Sequence, residues 1–171
     1  MNQVMAGESA PSHDLKTRWM ALQTSEPGLR PRDAAGRLGV TEAELLAVRC
    51  GSDVRRLDGP WGELIKALPD LGQVMVLTRN ECAVHEKVGR FDKISIFQNM
   101  GLVLNEEIDL RLFLNCGHVG FAVADDVRGT TRRSLQFYDA HGTAVHKIYL
   151  REESDLTAFE ALVGKHLHAD Q

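Results

Sequence analysis

Hydrophobic and polar positions divide the chain into two regimes. In the first third, apolar residues recur at spacings of three and four, the signature of helices that bury one face. Leu15, Trp19 and Leu22 form one such stripe, closed by Pro27-Gly28. Pro31 suits the first turn of a second helix, where its missing N–H costs nothing. That helix runs through Leu38 to a stop at Gly39. Thr41 and Glu44 have the spacing of a capping box, which predicts a third helix over Glu42 to Arg49, ended by Gly51. Pro60 opens a fourth, Trp61 to Leu68, which Pro69 terminates.

From Gln73 onward the period falls to two, as side chains alternate across a strand. Strands are expected at 73–78, 83–87, 93–98, 101–104, 109–115, 120–124, 134–139 and 144–150, separated by turn signals such as Asn105-Glu106 and Arg128-Gly129. Loops this short predict an antiparallel meander, since parallel strands need long crossovers. Ser154 is placed to cap a last helix with Leu156, Phe159, Leu162 and Val163 on one side. The fold class is therefore α+β: N-terminal helices over 13–70, a large antiparallel meander sheet over 73–150 and a closing helix over 154–168, in a single domain. Residues 1–12 read as a disordered tail, and 169–171 as a terminus or the start of a linker.

Composition narrows the function classes. The chain of 171 residues carries a net charge of -4, which argues against a nucleic-acid partner. No apolar run approaches the roughly 20 residues that span a bilayer, so no stable membrane insertion is expected. Residues 1–12 lack the basic and apolar regions of a signal peptide. Cys50, Cys82 and Cys116 form no CxxC pair and are odd in number, which fits a reducing, cytoplasmic setting.

The informative chemistry sits in one strand. Leu110, Leu112 and Leu114 fall on one face, and Asp109, Arg111 and Phe113 on the other. A permanent cation beside an aromatic ring, opposite a clean apolar stripe, suits a pocket for a flat, anionic, largely apolar ligand. The competing reading is a solvent-facing arginine paired with Asp109.

Several segments, in this order and spacing, resemble the amino-terminal half of the HemS/ChuS-type haem-utilisation (haemin-degrading) proteins. They are Arg30-Pro-Arg-Asp-Ala-Ala35, Thr78-Arg-Asn-Glu81, Ala83-Val-His-Glu-Lys-Val-Gly89, Met100-Gly-Leu-Val103, Asp109-Leu-Arg-Leu-Phe-Leu114, Arg133-Ser-Leu-Gln-Phe137 and Val145-His-Lys-Ile-Tyr149. The resemblance covers nearly everything from Leu15 to Leu167. It implies haem b as ligand or substrate, and a role as haem carrier, as haem-degrading factor, or as both. Arg111 matches the arginine that faces the iron from the distal side, and His85 a histidine close to the haem. Phe113 is placed to stack on the porphyrin. Asn99 stands where some relatives carry a further histidine, next to the haem. Family members are usually twice as long, with the proximal histidine in the half that this chain does not match. The resemblance therefore implies a second half or a homodimer as partner, and a separate reductase or haem oxygenase.

His85 and His118 are the candidate iron ligands. His118 lies beside Cys116 at a strand junction, and a loop histidine is the plainer reading. His141 reads as a turn residue, His146 as a satisfied core histidine, and His166 and His168 as parts of a fraying end. Arg79 reads as structural, with a propionate contact as the alternative. Two other functions compete with haem binding. Residues 34–45 have the outline of a DNA-binding helix-turn-helix, but the second helix begins Glu42-Ala-Glu44, which meets phosphate with like charge. The third is a non-catalytic dimerisation module whose apolar sheet face mates with another copy.

Overall fold

The computed structural model describes residues 10–171, with side chains from Asp14 onward. Residues 1–9 of the expected tail lie outside the described residues, whereas Ala10 already begins helix α1 (Ala10–Ser25). Helices α2 (Pro31–Leu38) and α3 (Glu42–Ala47) follow. They meet at Gly39, whose φ of 71° lies in the left-handed region open to glycine. The Thr41–Glu44 capping box forms in both directions: Glu44 N donates to Thr41 Oγ1, and Thr41 N donates to Glu44 Oε2 at 2.8 Å. Trp19, Ala34, Ala35 and Leu45 bury a small core among the three helices.

Strand β1 (Val54–Leu57) is absent from the sequence-based expectation. Its apolar ends flank Arg55 and Arg56, so it shows no alternation. Pairing with a distant segment makes it a strand: Val54 lies opposite Val123, and Leu57 opposite Gly120. Helix α4 (Trp61–Lys66) is short, and Pro69 lies inside a tight 3₁₀ turn over Leu68–Leu71. Eight strands come next: β2 (Gly72–Arg79), β3 (Val84–Arg90), β4 (Ile94–Phe97), β5 (Met100–Leu104), β6 (Asp109–Phe113), β7 (Val119–Val127), β8 (Thr130–Tyr138) and β9 (Ala144–Ser154). Helix α5 (Leu156–Lys165) closes the chain.

The α+β class is as expected, but the strands form two sheets. One has six strands in the order β1-β7-β8-β9-β2-β3, and the other is β4-β5-β6. All paired neighbours are antiparallel. Only part of the large sheet is a sequential meander, because β9 returns to pair with β2. The main core lies where the sheets face each other. Val74, Val76, Leu135 and Ile148 of the large sheet pack in one cluster with Val103, Leu110 and Leu112 of the small one. Leu64 and Ile65 of α4 and Phe159 and Val163 of α5 join the same cluster.

Three local expectations are corrected. Asp155, not Ser154, caps α5: its carboxylate accepts from Ala158 N at 2.9 Å. The Ser154 hydroxyl instead donates to Gln73 O, which ties the end of β9 to β2. His166 and His168 are not frayed. His166 is buried, Asp58 N donates to its carbonyl at 2.7 Å, and His168 N donates to Arg56 O at 3.0 Å. The last residues are thereby docked against β1.

The helix-turn-helix outline serves packing. Glu42, at the start of α3, forms a nearly buried ion pair with Lys147 of β9. Arg49, just beyond α3, pairs with Asp53 and with Asp125 of β7. The start of α3 and the residue just beyond its end are thereby committed to the sheet.

Candidate functional site

The small sheet presents two unlike faces. Its inner face carries Ile94, Ile96, Val103, Leu110 and Leu112, all packed into the main core. Cross-strand register sets the outer face. Phe97 lies opposite Met100, and Met100 opposite Phe113, giving one apolar row. The next row is Ser95, Leu102 and Arg111, and beyond it Leu104 lies opposite Asp109.

Phe97 and Phe113 are 57% and 59% exposed, and Leu104 is 49% exposed. Large apolar side chains left open side by side mark an interaction surface. Three strands at an ordinary spacing of roughly 4.8 Å form a strip about 10 Å wide. A flat macrocycle fits such a strip.

Arg111 stands within this apolar face. Its Nη1 donates to Asp109 Oδ1 at 3.3 Å, with both side chains more than half exposed. The sequence reading of a pocket and its rival reading of a surface pair thus describe the same side chain. The pair exists, on an edge strand, with Leu102, Leu104 and Phe113 as its apolar neighbours on that face. Arg111 faces open space and not an enclosed cavity. An open recess of about 630 Å³ is lined by Ile96, Phe97, Asn99, Met100, Phe113 and neighbours, and Arg111 lies outside it, two residues from Phe113 on the same strand face. The fold therefore brings Arg111, Phe113 and Asn99 to one surface. Asn99 also holds the sheet end, its carbonyl accepting from Leu114 N at 2.7 Å.

The two candidate iron ligands lie elsewhere. His85 is exposed on edge strand β3, opposite Thr78 of the large sheet. His118 precedes β7, and its N–H donates to Tyr138 O at 2.8 Å. It lines a different recess, with His141 and the helix α3 residues Ala43 and Glu44. Among the described residues, no three or more His, Cys, Asp or Glu side chains cluster as a metal site. A haem iron needs only one protein ligand, so that finding bears on free metal ions alone.

Sequence reasoning missed one feature, the state of His146. It is buried, and Thr78 Oγ1 contacts its Nδ1 at 3.0 Å, but Nε2 is buried with no partner. The expectation of a satisfied core histidine is corrected to a half-satisfied one. Burial, with a smaller contribution from His85, lowers its pKa to about 4, so the ring is neutral near pH 7. His146 lines an apolar cleft between the two sheets, together with Trp61, Leu112, Phe113, Gly117 and Phe137. The sequence signal was a lone histidine on the face shared with Ile148, and its missing second partner depends on the facing sheet.

Trp61 closes one wall of this cleft. Its Nε1 donates to Gly117 O at 3.1 Å, and its ring meets Phe137 edge-on at 5.7 Å. A Cβ on Gly120 would come within 3.0 Å of the Trp61 ring. Glycine is the residue that permits that contact.

Two packed antiparallel sheets with helical elements at both chain ends, and an arginine-centred apolar platform, define a class of ligand-binding α+β domain. The family model described as "Haemin-degrading HemS.ChuX domain" matches residues 39–166, and the chain belongs to that family. The hemin transport protein HmuS of Yersinia pestis is 40% identical over 152 residues, which are 88% of this chain and 44% of that protein. Holo-PhuS, a heme-binding protein from Pseudomonas aeruginosa, superposes with a TM-score of 0.89 at 44% identity, covering 94% of this chain and 47% of that one. The heme degrading enzyme ChuS from Escherichia coli O157:H7 gives a TM-score of 0.87 at 36% identity, covering 94% and 48%. The chain spans about half the length of these relatives. Among the described residues, no helix is long and apolar enough to cross a membrane.

Proposed function

We propose that this chain binds haem on the outer face of the small sheet and serves haem utilisation in the cytoplasm, as carrier, as haem-degrading factor, or as both. The observation that carries the reading is a guanidinium one row from the apolar row of Phe97, Met100 and Phe113, whose two phenylalanines are exposed, on a strip as wide as a macrocycle. The kinship with a hemin transport protein, a heme-binding protein and a heme degrading enzyme supports it.

When bound, haem supplies the iron and the oxidisable ring, which is the hard chemistry of either role. The chain supplies the platform. Phe113 and Phe97 offer apolar area to the ring. Arg111 presents a guanidinium with five donors. Covering the face strengthens its field, because the pair with Asp109 then leaves water. Asn99 offers an amide at the rim. His85 and His118 project from other surfaces and serve as ligands only if a second half or a second copy brings haem to them. The exposed face suits such a partner, which would complete the site from the opposite side. A degrading role also calls for a separate reductase. Three free cysteines fit a reducing compartment.

Hemin titration with visible spectroscopy tests the proposal. The expected result is a saturable, shifted Soret band that changes in Arg111→Ala while the fold stays intact. A band identical to that of free hemin in the unsubstituted protein would overturn it. Adding a reductant with catalase present separates the roles: loss of the band to a bile pigment marks degradation, and persistence marks a carrier.

A further inference from the structure

The large sheet has a second face, turned away from the main core, where β2, β3, β8 and β9 meet the start of α2. A polar cavity of about 260 Å³ lies there. Five cationic side chains line it (Arg30, Arg32, Arg79, Arg132 and Lys147) against three acidic ones, Glu42, Glu86 and Asp125. Two of the acids are already engaged. Glu42 pairs with Lys147, and Asp125 pairs with Arg49 from outside the cavity.

The arginines are under-partnered. Arg32 donates to Asn80 O at 2.9 Å and reaches Glu81 only at 4.0 Å, a carboxylate that is 90% exposed. Arg132 lies over the Tyr149 ring at 5.0 Å. Among the described residues, Arg30, Arg79 and Arg132 form no ion pair. Arg79 Nε is buried with no acceptor, an arrangement that costs free energy until an acceptor arrives. The start of α2 points the same way. Arg30 gives it no side-chain cap, so first-turn N–H groups lack a side-chain acceptor, although Asp33 opposes them in charge.

Overall basicity does not account for the cluster, because the chain as a whole is acidic at -4. Guanidinium groups match the geometry of carboxylate and phosphate oxygens. We propose that this cavity is a binding site for a small dianionic oxyanion, a phosphate or a dicarboxylate. It is separate from the Arg111 face, which belongs to the other sheet. Arg79 and Arg132 would hold the anion from the sheet side and Arg30 and Arg32 from the helix side, with Tyr149 and Met75 as the apolar floor.

Titrating the full chain with inorganic phosphate, and separately with malonate, tests this at ionic strength held constant with sodium chloride. The Nε–H resonances of arginine report the site by NMR. The expected result is saturable shifts of Arg79 and Arg132 with at least one of the two anions. Whichever binds more tightly identifies the source chemistry. Arg79→Gln and Arg30→Gln should each weaken binding about tenfold, the loss expected for one charged hydrogen bond, while Arg151→Gln should not. Arg30 is exposed, so its variant keeps the fold intact and the test decisive even if Arg79→Gln does not fold. Linear shifts that chloride reproduces, or affinity unchanged in Arg30→Gln and Arg132→Gln together, would overturn the site.

Discussion

Replacing His146 by leucine should remove a specific part of the acid sensitivity of this protein. The ring is 3% exposed, and burial lowers its pKa from 6.5 to about 4. Below pH 6.5 the unfolded chain takes up a proton that the folded chain refuses until about pH 4. Stability associated with this residue is therefore full above pH 6.5 and declines as pH falls toward 4. The gap of about 2.5 pH units, at 1.36 kcal/mol per unit, corresponds to a loss of about 3 kcal/mol across that window. Urea unfolding of the natural and His146→Leu proteins at steps between pH 4 and 8 measures it. Their stability difference should shift in favour of the leucine variant by about that amount toward pH 4. Other titrating groups, chiefly carboxylates, act on both proteins and cancel in the comparison. Parallel stability curves for the two proteins would refute the reasoning, since a buried neutral imidazole cannot avoid this linkage.

Other expectations concern packing. Lys147→Met strands the Glu42 carboxylate in a nearly buried site and should cost about 3–5 kcal/mol. The double variant Glu42→Gln, Lys147→Met should recover most of that loss in chemical denaturation. No recovery would mean that the pair is not coupled. Gly120→Ala pushes a Cβ to 3.0 Å from the Trp61 ring and should destabilise by about 1–3 kcal/mol through overpacking. An unchanged melting temperature would show that the ring moves freely.

Much of the fold was legible because it rests on local rules. The Thr41–Glu44 box, Pro31 at the start of α2 and the alternation through Asp109–Phe113 each depend on residues close in sequence, and each appears in the structure. Strand β1 was illegible because Val54-Arg-Arg-Leu57 has no period of its own. The division into two sheets was likewise hidden, since alternation states which face is apolar but not which sheet a strand joins. The candidate site divides the same way. The shared face of Arg111 and Phe113 follows from strand geometry, and Asn99 joins them through the β4–β5 turn. His85 and His118 shared a reading with them, but they lie on other surfaces.

Local chemistry along the chain was enough to set most of the elements, the capping box of α3 and the cation beside an aromatic on one strand, because these depend on steric and hydrogen-bonding rules over a few residues. Contacts between distant segments decided the rest. Among these are the pairing of β9 with β2, the partnerless nitrogen of His146 and the gathering of four arginines from a helix start and two strands. Burial and electrostatics act through space, so their outcome depends on which remote side chains the finished fold sets face to face.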